Sequence, residues 1–254
     1  MPGRPLIAAA ALVAGGALAV AAVVHERAGT TSRTSVAESA YGRGADRVWV
    51  FRPKHREPKH VVLFVHGLGD QLETTPAHHR AWLEHLAQEG NAVLYPRFEL
   101  TPAAPRPLEH LIAGARLGWK HLGTDAPVLA IGYSRGGRLV LDYAALAHGV
   151  DPVPKTILSV FPAGSMDPLQ NLGTIRRGTK VVLLAGDRDE VVGTHGVNQV
   201  VTQLAASGFP YGDLSYGIVR SKGAFVASHL SVLDDTAGAR AAFWQRADRL
   251  LEDL

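Results

Sequence analysis

From Val61 to the C-terminus, short apolar runs alternate with longer stretches whose apolar residues recur at helical spacing, and this alternation constrains the fold more than any other feature. The run "VVLFVHG" holds five consecutive apolar residues and is rich in Val, which fits a strand covered on both faces. It is preceded by a short strand, "RVWVF", and followed by helix-like "AHHRAWLEHLAQEG" and strand "NAVLYPRF". Then come helix "LEHLIAGARLGWKHLG", strand "PVLAIGY", helix "RGGRLVLDYAALAHG" and strands "KTILSVF" and "KVVLLAG". Helix "GVNQVVTQLAASG", strand "LSYGIVR" and a last helix from about Thr236 to Leu254 complete the series. The order predicts an α/β fold, with a mostly parallel central sheet and helices on both faces.

The 254 residues are 46% hydrophobic and 19% charged, enough apolar material for one large core. The formal charge of +3 is scattered along the chain and favours solubility, with no stripe suited to nucleic acid. There is no Cys, which excludes disulfides, thiolate metal sites and a cysteine nucleophile. Near the N-terminus, Arg4 precedes 19 residues, Leu6 to Val24, with no charged or polar side chain. Such a run reads as an export signal or a membrane anchor. Its length suits an anchor, associating with a membrane through residues 6–24, while small-residue cleavage candidates such as Ala17-Leu18-Ala19 lie inside it. The chain divides on this reading into 1–27 as signal or anchor, 28–46 as a polar linker and 47–254 as the folded domain, with an exported location, anchored or secreted.

One serine is framed in an unusual way. In "VLAIGYSRGGRLV", Gly132 and Gly136 stand two residues before and two after Ser134, between an apolar strand and an amphipathic helix. A serine held at the apex of a tight strand-to-helix turn needs small neighbours to relieve crowding, and the helix that follows offers oriented amides to a developing negative charge. The G-x-S-x-G pattern alone recurs by chance; the strand before it and the helix after it supply the context that the chemistry needs. Upstream, "FVHGLGD" ends a buried strand at His66-Gly67, so the backbone N–H of Leu68, with that of Arg135, is a candidate oxyanion donor. His66 is expected to brace this loop rather than react.

In "KVVLLAGDRDEVVG" a strand ends at Gly186 and is followed by Asp187 and Asp189. Either could orient a histidine; the spacing favours Asp189, with Asp187 capping the turn. His229, in "FVASHLSVLD", falls on the same strand-end edge of the sheet as these loops. Of the 12 histidines its competitor is His195, which lies only six residues beyond Asp189. No spacing of His and carboxylates suggests a metal.

With "HGLG", "GYSRGG", "GDRDEVV" and "SHL" in the order nucleophile, acid, histidine, the chain resembles the α/β-hydrolase superfamily of esterase- and lipase-like serine hydrolases from about Arg47 to Leu254. The resemblance implies cleavage of a small carboxylic ester through an acyl-enzyme on Ser134, with Asp189 and His229 as partners, the amides of Leu68 and Arg135 as oxyanion hole, and no cofactor. Tyr133 stands where many members have His and is expected to point away from the nucleophile. Only about twenty residues separate "SVFP" from the acid strand, so a large lid domain is not expected. Two other functions fit the same residues: a non-catalytic α/β-hydrolase-like binding protein of the cell envelope, and an acyltransferase using the same triad.

Overall fold

The alternation of strands and helices that the apolar runs predict is present in a computed structural model that describes residues 35–69, 74–164 and 170–254. The eight strands are β1 (Val36–Tyr41), β2 (Val48–Pro53), β3 (Val61–Val65), β4 (Ala92–Pro96), β5 (Val128–Tyr133), β6 (Pro154–Val160), β7 (Lys180–Gly186) and β8 (Leu214–Val219). They form one sheet in the order β1-β2-β4-β3-β5-β6-β7-β8. β1 and β2 run antiparallel to their neighbours, and every other pairing is parallel.

The helices are α1 (Arg80–Gln88), α2 (Pro107–Leu122), α3 (Arg135–Leu146) and α4 (His195–Ala206). A last helix, α5, runs without a break through Ala237–Ala239, Arg240–Trp244 and Gln245–Glu252, its middle segment being a π-helical turn. β3 shows how the two layers are built. Its Val61, Leu63 and Val65 belong to the core cluster that holds residues of α2, α3 and α4, while Val62 and Phe64 belong to the cluster of α1 and α5, where Phe64 meets Trp82 edge-on. All five are fully buried, which explains why the run reads as uninterrupted rather than alternating. At roughly 1.5–3 kcal/mol for each such side chain, the central strands hold the sheet between its helices.

The chain order reverses between β3 and β5, which lie side by side with their continuations on opposite sides. In an open α/β sheet, the strand ends at such a reversal form a crevice. His66-Gly67 leaves β3 and Ser134 leaves β5 there.

The linker expected over 28–46 is corrected from Val36 onward, where the chain is already edge strand β1, paired with β2 from Val36 opposite Pro53 to Tyr41 opposite Val48. Edge position explains why a polar stretch can be a strand: Val36 and Tyr41 contact the core from opposite faces, and the rest is half-buried or exposed. Glu38 fastens β1 to α1 by accepting from Arg80 at 2.8 Å, a bond that raises the guanidinium pKa further. The signal or anchor placed at 1–27 lies outside the described residues. Among the described residues no helix is long and apolar enough to cross a membrane.

Candidate active site

Ser134 sits between β5 and α3 with φ 54° and ψ −120°, a conformation that L-residues adopt only where the surroundings enforce it. Its N–H donates to the Val160 carbonyl at 3.0 Å, and its own carbonyl accepts from Ala163 N–H at 2.9 Å. These two bonds, one to the end of β6 and one to the loop after it, hold the turn. The flanking glycines are required by contact: a Cβ on Gly132 would overlap the carbonyl of Gly136, and one on Gly136 would overlap the carbonyls of Val65 and His66. β3, β5 and α3 therefore meet at backbone distance beneath the serine.

The loops after β7 and β8 deliver the other two side chains. His229 opens a short 3-10 turn, His229–Leu233, and its Nε2 lies 2.9 Å from Ser134 Oγ. Its Nδ1 lies 2.9 Å from Asp189 Oδ2. The other carboxylate oxygen of Asp189 accepts from the N–H groups of Val191 and Val192, at 2.9 and 3.0 Å, so the acid is fixed by its own loop. Ser134, Asp189 and His229 are each less than a tenth exposed. With Oδ2 facing Nδ1, the imidazole carries its proton on Nδ1 and presents Nε2 as an acceptor to the hydroxyl.

Asp187 faces away from this set. It accepts from Ser221 Oγ at 2.6 Å and Ser221 N–H at 2.9 Å, and these bonds hold its carboxyl below the ordinary carboxylate pKa. Ser221 Oγ in turn accepts from Ala227 N–H, so Asp187 pins the loop that leads to His229. His195 is exposed at the start of α4, beside Gly164, and contributes nothing to this geometry.

On the opposite side, Gly67, just before Leu68, passes so close to Ser134 that a Cβ there would sit 3.3 Å from Ser134 Cβ. Arg135 is the first residue of α3, so its amide belongs to the positive end of the helix dipole directly after Ser134. His66 braces this side. Its Nε2 is 2.6 Å from the Arg97 carbonyl, its Nδ1 2.7 Å from the Gly67 carbonyl, and its ring stacks on Phe98 at 4.1 Å.

Two features of the site were not foreseen in the sequence. The guanidinium of Arg135 is buried and paired with Glu99, Nη1 to Oε2 at 2.5 Å, and also donates to the Pro102 carbonyl at 3.2 Å. Residues 97–102 are thus tied to His66 at one end and to Arg135 at the other. The second is Tyr133, whose ring lies 5.2 Å from that of His229 and would block a Cβ on Gly67. β5 directs Ile131 and Tyr133 to the same layer of the core, and the imidazole of His229 lies beside Tyr133 and Phe161 of that layer. Phe161, 6.4 Å from the imidazole, is in turn braced edge-on by Phe243 of α5.

A cavity of about 630 Å³ opens beside the imidazole, between the 188–191 and 221–230 segments. Among the described residues no group of three or more His, Asp or Glu is placed to hold a metal ion.

No protein-family model and no curated protein sequence matches the chain. Solved structures do. Esterase B from Lactobacillus rhamnosis, inhibited by a tributyrin phosphonate, superposes with a TM-score of 0.66 at 15% identity, over 86% of this chain and 85% of that one. A fungal esterase from Rhizomucor miehei gives 0.63 at 18% identity, over 87% and 84%. An α/β-hydrolase enzyme, MGS-M1, from a Medee basin deep-sea metagenome gives 0.61 at 14% identity, over 87% and 97%. At these identities the likeness is one of fold.

Proposed function

We propose that this chain, which has the α/β-hydrolase fold, is a serine hydrolase that cleaves carboxylic esters through an acyl-enzyme on Ser134. The observation that carries the proposal is the pair of contacts on the two ring nitrogens of His229, Nε2 to Ser134 Oγ and Nδ1 to Asp189 Oδ2, each 2.9 Å. Nε2 takes the hydroxyl proton as Oγ attacks the ester carbonyl carbon, and Asp189 stabilises the imidazolium that results. The carbonyl oxygen becomes an oxyanion, held by the amides of Leu68 and Arg135. When the intermediate collapses, the C–O bond to the alcohol breaks and the Nε2 proton passes to the departing oxygen. Water, deprotonated by the same imidazole, then releases the acid and restores Ser134. The esterases among the structural neighbours support the choice of an ester as substrate.

The test joins labelling to turnover. A fluorophosphonate probe should mark the wild-type protein on the peptide carrying Ser134, and Ser134→Ala should lose both label and hydrolysis of p-nitrophenyl acetate, with a loss on the order of 10⁶ in turnover. A Ser134→Ala protein that keeps more than a few per cent of turnover refutes the assignment.

A further inference from the structure

The cavity beside His229 has a feature that the catalytic set leaves unexplained. Its wall carries three branched apolar side chains in the open: Val191 is 70% exposed, Val226 52% and Leu230 62%, with half-buried Phe225 beside them. None of the three belongs to either core cluster. Grouped around one concavity, such side chains mark a surface that gains from being covered.

The chemistry says what covers it. The proton on Nε2 can reach only an oxygen that approaches the imidazole, and in ester cleavage that oxygen belongs to the departing alcohol. Of the proposed oxyanion donors, Leu68 follows β3, on the far side of β5 from the β7 and β8 loops, and Arg135 directly follows Ser134 at the end of β5. An alcohol leaving past His229 therefore projects its carbon chain over Val191, Val226 and Leu230. The charged residues of the lining, Arg188, Glu190 and Lys222, are all exposed and include both signs, so the apolar wall and not a net charge makes the selection.

We infer that this cavity is the leaving-group subsite, and that the enzyme takes esters of uncharged apolar alcohols, alkyl or aryl, larger than ethanol. The inference rests on the serine-hydrolase reading above.

Acetate esters of n-alkanols from methanol to hexanol test it, because lengthening the alkyl chain beyond ethanol varies burial with little change in leaving-group acidity. For wild type, kcat/KM should climb about three- to fourfold per methylene buried, equivalent to about 0.8 kcal/mol. In Leu230→Ser and Val226→Ser/Leu230→Ser the slope of this series should flatten, so that the hexyl-to-ethyl ratio falls at least tenfold. The slope of a companion series, methyl esters of lengthening acids, should stay as in wild type. A wild-type alcohol series that is flat, or variants that flatten the acid series instead, overturns the subsite while fluorophosphonate labelling of Ser134 still upholds the catalytic reading. Loss of the label as well as of turnover in wild type would overturn both.

Discussion

The Arg135–Glu99 pair gives the sharpest test of how the site is supported. Both side chains are buried, Glu99 completely and Arg135 to 6% exposure, and the two groups meet at 2.5 Å. Glu99→Leu leaves the guanidinium with the Pro102 carbonyl but without its anion. Arg135→Leu leaves a carboxylate in the interior without its cation. Removing one member of a buried pair costs about 3–5 kcal/mol, because the charge left behind has lost its partner and is shut off from water. If the two losses simply added they would reach roughly 6–10 kcal/mol, which would unfold most domains, whose whole stability is about 5–15 kcal/mol. The expected result is different. In Glu99→Leu/Arg135→Leu no charge is stranded, and replacing a buried pair by apolar groups is often close to neutral. The double variant should therefore be more stable than either single one, with a coupling of at least about 3 kcal/mol. Urea unfolding of the four proteins, followed by tryptophan fluorescence, measures it. Single variants that each lose less than about 1 kcal/mol, or a double variant as unstable as the sum, would refute the claim that this pair is desolvated and mutually dependent.

Three further outcomes follow from the same geometry. Asp189→Asn keeps the shape of the acid but offers an N–H where the imidazole needs an acceptor, so turnover should fall about 10⁴-fold at neutral pH; a loss under tenfold in steady-state assays would deny Asp189 its orienting role. The carboxyl of Asp187 is held below the ordinary carboxylate range by Ser221, so its contribution is complete above about pH 4 and disappears as pH falls through the lower folded-state value. Asp187→Asn should thus be less stable than wild type at pH 7, with the gap closing in acid; a gap independent of pH in thermal unfolding would count against the Ser221 bonds. Gly136→Ala drives a methyl into two backbone carbonyls that cannot move aside, and should lower stability by about 3 kcal/mol or more, an expectation that an unchanged unfolding midpoint would overturn.

What could be read from the sequence was whatever has a local cause. The Ser134 turn is crowded by its own neighbours, so Gly132 and Gly136 announce it. The buried strands announce themselves because parallel pairing covers both faces. The spacing in "GDRDEVV" favoured Asp189 over Asp187, and in the structure Asp189 accepts from amides two and three residues ahead, a local arrangement. What escaped depends on distant partners. Glu99 looks like any loop acid until Arg135, 36 positions away, is brought against it. β1 looks like a linker because an edge strand needs little apolar surface of its own. The π-helical turn in α5, Arg240–Trp244, was not legible either. Phe243 and Trp244 are adjacent in sequence, and both are buried, one against Phe161 and Phe225, the other stacked on Trp82. Helical periodicity carries no mark of such a turn. Yet Phe243 supports Phe161 beside His229, so an irregularity with no sequence signature helps fix the imidazole that the sequence did reveal.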